Sequence, residues 1–334
     1  MKHALLISEF LSTPWAIMPE RLSAFAGVIA RWSLGAVADA DTMAAVQTDS
    51  AAVAARRGAS ARASNGSIAV LPMYGVVTQR GNMADDISGP GSMSTQMFAQ
   101  ALRSALADDS VDAVLIDIDS PGGSVYGVQE LADEIYQARG QKPVVAIANS
   151  LAASAAYWLG SAASEFYVTP GGEVGSIGVW SAHEDWSKAL ADAGVTTTLI
   201  SAGKYKTEGN PYGPLSADAR AFMQSRVDDY YGTFTKAVAR NRGVPVATVR
   251  DGMGQGRVLG AQAAKDAGMV DGVDTFDGVL RKLSASIRST GKAKSMEPGS
   301  DVAIASPVEN EAAQGNRALR RLTLRRRQIQ IASI

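Results

Sequence analysis

An α/β fold built on a parallel sheet with crossover helices is the class this sequence predicts. Three observations carry the expectation: strand-like apolar runs alternate with helical periodicity across residues 65–287, glycine-rich turns follow the strands, and no solenoid-like repeat imposes another order. Residues 68–77 open the domain as a bent strand or strand pair, because Pro72 and Gly75 break the run. Residues 95–107 repeat Met97, Phe98, Ala101, Leu102, Ala105 and Leu106 at helical spacing. The run 111–119 is a largely buried strand that ends in Ser-Pro-Gly-Gly-Ser at 120–124, and a helix over 125–138 follows it. A strand at 143–148 then leads through Asn-Ser-Leu-Ala into a helix that opens at Ser154. Further strands are expected at 165–169, 177–180 and 195–201.

Composition bounds the chemistry. The chain has 334 residues, 32 basic and 33 acidic, for a formal net charge of −1, so no global field recruits nucleic acid or a membrane surface. There are no cysteines, which excludes thiol catalysis, disulfides and cysteine-ligated zinc. The two histidines are His3 and His183; a Ser-His-Asp triad would have to use His183, with Asp185 as its partner.

The flanks differ from the centre. Residues 1–64 combine an amphipathic opening (Trp15, Ile17, Leu22, Phe25, Ile29, Trp32) with an Ala/Arg/Ser linker. Glu9 and Pro14 interrupt the first apolar run, so it does not read as an export signal. No stretch approaches the ~18 apolar residues of a spanning helix. Residues 288–334 read as a flexible basic tail, where Arg317, Arg320, Arg321 and Arg325–Arg327 alternate with leucines. That tail is a solubilising end, a docking element for an acidic protein surface, or a phosphate binder.

Two side chains stand out as a reactive pair. Ser154 lies where a strand passes into a helix, so its hydroxyl sits near a helix N-terminus that favours developing negative charge. A serine hydroxyl needs a base, and Lys206 follows the expected strand at 195–201 beside Tyr205 and a turn-rich Gly-Asn-Pro-Tyr-Gly segment. An amine takes a proton only when uncharged, which requires burial away from water. Adjacent Gly122 and Gly123 let the backbone turn two amides toward one point, as an anionic tetrahedral intermediate requires.

The ordered motifs Asp-Ser-Pro-Gly-Gly-Ser, Lys-Pro-Val-Val-Ala, Ala-Ala-Ser-Ala-Ala-Tyr-Trp, Val-Gly-Ser-Ile-Gly-Val and Gly-Lys-Tyr-Lys resemble signal peptide peptidase A and its bacteriophage relatives, the head maturation (prohead) proteases. The segment 256–271 looks like that family's closing helix and strand. The resemblance covers about residues 67–285 and implies a Clp protease/crotonase-like spiral fold. It makes Ser154 the nucleophile, Lys206 the general base, Ser176 the residue that orients the lysine, and Gly122 and Gly123 the oxyanion hole. One departure is visible: the family usually has glycines after the nucleophile, and this chain has Ala155 and Ala156.

The resemblance further implies a homo-oligomeric ring in which one subunit's lysine completes its neighbour's site. The expected substrates are phage scaffold, major capsid and portal proteins, and the protease itself, in the host cytoplasm or the procapsid interior. The protein is expected to be neither secreted nor transmembrane. No metal, cofactor or CoA is called for, and nucleic acid is not an expected partner. The alternatives are a cytosolic bacterial protease of the signal-peptide-peptidase type, a crotonase-type acyl-CoA enzyme, or an inactive assembly scaffold.

Overall fold

The computed structural model describes residues 12–19, 68–80 and 93–294, which lie, apart from its last two residues, within one compact unit, Met1–Lys292. The linker expected within 1–64, His3 and the basic tail from residue 295 onward fall outside the described residues.

Strand β1 is Trp15–Ile17, and β2 is Ile68–Tyr74. The break expected at Gly75, which has a φ of +74°, separates β2 from the two-residue β3, Val77–Thr78. After β4, Met93–Ser94, helix α1 spans Thr95–Ala107. Ser94 caps it: its hydroxyl accepts from the Met97 amide at 3.3 Å, and Phe98, Ala99, Leu102 and Ala105 form the buried stripe. Strand β5, Ala113–Ser120, is buried at every position but one, as a central parallel strand with both faces covered must be. It passes at once into β6, Gly122–Ser124, and helix α2, Val128–Ala138. Gly127, at φ +76°, delays the helix start by three residues from the position the sequence suggested.

Strand β7, Val144–Ala153, runs five residues further than expected, because its edge changes partner. Val145–Ala148 pair with β8, Glu165–Val168, whereas Leu151–Ala153 pair with β9, Glu173–Gly175. Between them lies α3, Ala155–Ser161, buried at every residue. Helix α4 is Ser187–Asp192, and α5 is the 26-residue Ala217–Arg242, closed by Gly243 at φ +65°. The chain ends its described course with α6 (Val246–Gly252), β10 (Val258–Gly260), α7 (Ala261–Asp266), β11 (Gly272–Val273) and α8 (Phe276–Lys294).

The larger sheet has the order β10-β9-β7-β5-β2, with β8 on β7 and β11 on β8. Every pairing in it is parallel except β10 with β9, so helices provide the crossovers. A smaller sheet, β1-β6-β3-β4, grows from the continuation of β5. The main core lies between the larger sheet and α1, α2, α3 and α5, and there Trp158 of α3 stacks on Phe234 of α5 at 4.7 Å between centroids and 8° between planes.

Two expectations fail. Residues 195–201 form no strand: they are exposed throughout, since their β-branched residues find no partner strand among the described residues. Residues 177–180 likewise form no strand beyond one bridge, from Trp180 to Trp15.

A polar clamp ties the end of α5 to the sheet. The Arg242 guanidinium donates to both carboxylate oxygens of Asp271 at 2.8 and 2.9 Å, and Asp271 also accepts from the Phe166 amide at 2.7 Å. Burial works to raise the Asp271 carboxyl, but the hydrogen bonds from Arg242 and Phe166 outweigh it and hold it below the usual carboxylate value. A carboxyl depressed on folding contributes stability above its unfolded value that is lost as pH falls through its folded one. Wild-type stability should therefore decline on acidification below about pH 4, and Arg242→Met should flatten that decline. Because Asp271 is 38% exposed, screening limits the cost of Arg242→Met at neutral pH to about 1–2 kcal/mol, measurable by urea denaturation at pH 7 and pH 3.5.

Candidate active site

The site forms where three strand ends meet. In the parallel pairing of β5 with β7, the register shifts between Ile118 and Ser120, and Ser120 comes to lie opposite Ala152. That shift carries the glycine turn after β5 to the end of β7, beside Ser154. In the parallel pairing of β7 with β9, Ala153 faces Gly175, so Ser154 and Ser176 leave two adjacent strands together. The Ser154 amide donates to the Gly175 carbonyl at 2.6 Å.

Ser154 has φ 55° and ψ −116°, a conformation that side-chain-bearing residues rarely adopt. It is held there from both sides, by β7 before it and by α3 after it, whose Trp158 amide donates to the Ser154 carbonyl at 3.0 Å. A sharp, strained strand-to-helix turn of this kind projects a hydroxyl away from the backbone that bears it. The Ser154 Oγ donates to the Gly178 carbonyl at 3.3 Å, and the residue is 1% exposed. Ser176 is also left-handed, at φ 53°, and buried; its amide donates to the Arg257 carbonyl at 2.8 Å.

Gly122, at φ +95°, could carry no side chain. A Cβ there would fall within the carbonyl oxygen of Ala16 and come to 2.9 Å from both the Ala153 carbonyl and the Ser154 Cβ. At Gly123 a Cβ would run into the Val77 backbone. Buried Ser120 organises this turn: its hydroxyl donates to the Gly75 carbonyl at 2.6 Å and accepts from the Gly122 amide at 3.2 Å. Ser120 is a site residue that the sequence offered only as part of its motif; the Gly-Gly that follows was the available signal.

The structure brings together Ser154, Ser176, Gly122 and Gly123, but not Lys206. Lys206 lies in an exposed irregular segment, and among the described residues no hydrogen bond joins it to Ser154. The expectation that its surroundings within the chain would shield it from water is corrected: the strand meant to precede it is absent, so the segment stays on the surface. His183 does not serve Ser154 either, since its Nε2 contacts the Asn210 carbonyl at 2.9 Å while Asp185 accepts from the Ser187 amide.

Residues 136–288 match the profile of peptidase family S49. This segment is a peptidase family S49 domain. It includes the turn at Ser154 and the segment bearing Lys206, and begins beyond the glycine turn. The chain is 40% identical over 204 residues to capsid assembly protease C of Escherichia phage lambda, covering 61% of this chain and 46% of that protein. It is 36% identical over 248 residues to head-tail preconnector protein GP5 of Enterobacteria phage P21, covering 74% and 48%. The chain thus spans about half the length of these curated relatives. Among solved structures, a ClpP1 mutant from Listeria monocytogenes aligns with a TM-score of 0.41 and 14% identity, over 63% of this chain and 94% of that one. No described helix is long and apolar enough to cross a membrane.

Proposed function

We propose that the S49 domain, over about residues 65–287, is a serine endopeptidase with a Ser-Lys dyad that cleaves scaffold, capsid or portal proteins, and its own chain, during phage procapsid maturation. The observation that carries the reading is the backbone of Ser154, strained at a strand-to-helix turn and set against a glycine that tolerates no side chain. Strain of this kind persists where surrounding structure enforces it, and it clusters at active sites, where it aims a nucleophile. Support for the substrate class comes from the phage relatives, one of them named a capsid assembly protease.

In this reading Ser154 Oγ attacks a peptide carbonyl and passes its proton to the uncharged amine of Lys206. The tetrahedral oxyanion accepts hydrogen bonds from the Gly122 and Gly123 amides, after Gly122 has released Ser120. The amine then returns the proton to the departing nitrogen, and water repeats the sequence on the acyl-enzyme. Ser176, leaving β9 beside Ser154, orients the amine.

Lys206 comes from a neighbouring subunit. Support lies in its own surroundings: Val195, Leu199, Ile200 and Tyr205 expose apolar side chains along one strand-prone segment, with Phe222 on α5 exposed as well. A neighbouring copy would bury this surface and strip water from the amine, the condition under which a lysine can act as base.

Chains carrying Ser154→Ala or Lys206→Ala should each be inactive toward phage capsid and scaffold proteins. Mixing the two should restore cleavage, because some sites then combine an intact serine with an intact lysine. Mass spectrometry of the fragments checks this: a mixture as inactive as its components would place both groups in one subunit, and an active Lys206→Ala chain would remove the dyad.

A further inference from the structure

The glycine turn and the segment after Gly178 form the two walls of a slot, and the chain's own N-terminal strand fills it. On one side β1 pairs antiparallel with β6, Trp15 opposite Ser124, Ala16 opposite Gly123 and Ile17 opposite Gly122, and the Met18 amide continues the ladder to the Pro121 carbonyl at 3.1 Å. On the other side Trp15 and Trp180 exchange backbone hydrogen bonds of 2.8 and 3.0 Å, and the Trp180 indole donates to the Ile17 carbonyl at 3.0 Å. Trp15 and Ile17 pack against Val76 and Trp180, and all three strand residues are buried.

Both walls touch Ser154. Its hydroxyl donates to Gly178, two residues before Trp180, and a Cβ on Gly122 would meet the Ala16 carbonyl and the Ser154 Cβ together. An extended segment hydrogen-bonded along both edges is how a peptide is bound by strand addition, with the main chain supplying affinity and alternate side chains supplying selection. Here the segment reads Trp-Ala-Ile, a small residue between two large apolar ones.

We propose that Trp15–Ile17 is an internal occupant of the substrate's seat: it keeps the chain latent until displaced, and the extended peptides that displace it carry the same aromatic–small–aliphatic pattern. The proposal rests on the reading of Ser154 as nucleophile, and its test separates the two. The chain has no cysteine, so Trp15→Cys with Ser124→Cys introduces a single pair. Directly opposed residues of an antiparallel ladder lie about 4.5–5.5 Å apart between Cα atoms, within the span of a disulfide. Reduction leaves the strand without the Trp15 side chain that packs it down, and oxidation locks it in place.

The reduced chain should react with a fluorophosphonate probe at Ser154 at least about tenfold faster than the oxidised chain, since reactivity follows the fraction of open sites. A peptide of residues 12–19 should slow the reduced chain's reaction and leave the oxidised chain unaffected. Equal rates in the two redox states would overturn the proposal while leaving the nucleophile assignment intact. If no form reacts, or if reaction survives Ser154→Ala, the nucleophile assignment fails instead. Binding of the fluorescein-labelled peptide then decides the occupancy alone: binding to the reduced chain and not to the oxidised one supports it, and equal or absent binding overturns it.

Discussion

Replacing Ser154 with glycine should produce a chain that is more stable than the wild type and about 10⁴–10⁶-fold slower in peptide cleavage. The two effects have one origin. At φ 55° and ψ −116° the serine backbone occupies a region that costs about 1–3 kcal/mol for a residue with a Cβ, and glycine enters such positive-φ regions readily. The hydroxyl itself returns little: it provides no cap to α3, and its bond to the Gly178 carbonyl is long at 3.3 Å. After the entropy that glycine loses on folding, about 1 kcal/mol of stabilisation should remain, or about 2–4 °C in the melting midpoint of a domain this size. Ser154→Ala is the control, because alanine removes the hydroxyl and keeps the strain. Its cleavage rate should fall as far while its midpoint stays near that of wild type. Scanning calorimetry on the three chains, beside a peptide-cleavage assay, reads both quantities. If Ser154→Gly melts no higher than Ser154→Ala, the turn stores no strain.

The central strands and the reactive turn were legible in the sequence because their signals are local. An apolar run such as 113–118, interrupted only by Asp117, has few alternatives to a central parallel strand, and α1 declares itself by periodicity with Ser94 as its cap. What escaped was decided at a distance. Residues 149–152 read as a loop, since Asn-Ser-Leu-Ala has no strand character of its own; the strand continues through them because Glu173–Gly175 lie alongside Leu151–Ala153. The opposite error at 195–201 has the matching cause: Val-Thr-Thr-Thr-Leu-Ile is strand-prone, but no edge among the described residues accepts it. Helix α5 was missed although it is the longest described element, because only a short stretch near its C-terminal end and Ala219 are buried, leaving a weak apolar stripe. At the site, Ser154, Ser176 and the glycines follow from motif and turn chemistry. The strand Trp15–Ile17 over them did not, because more than a hundred residues separate it from Gly122–Ser124.

Trp158→Ala should be the most destabilising single change near the site, at about 3–5 kcal/mol, because it opens a cavity in fully packed surroundings. Trp158 is 1% exposed, one turn beyond Ser154, and it lies flat against Phe234. Helix α3 has only seven residues, too few to hold its shape by its own hydrogen bonds, so packing of this ring must position its first turn. The first turn in turn fixes the Ser154 carbonyl, which accepts from the Trp158 amide at 3.0 Å. Loss of the indole should therefore reach the reaction as well as the fold: the variant, assayed well below its melting point, should cleave more slowly with little change in KM, as expected when reacting groups are misplaced rather than binding lost. Trp158→Phe keeps a ring against Phe234 and should restore most of both stability and rate. Urea denaturation and steady-state kinetics on the two variants check the pair of effects. An alanine variant with a wild-type turnover rate at low temperature would show that β7 and the Gly175 carbonyl hold Ser154 without help from the helix behind it.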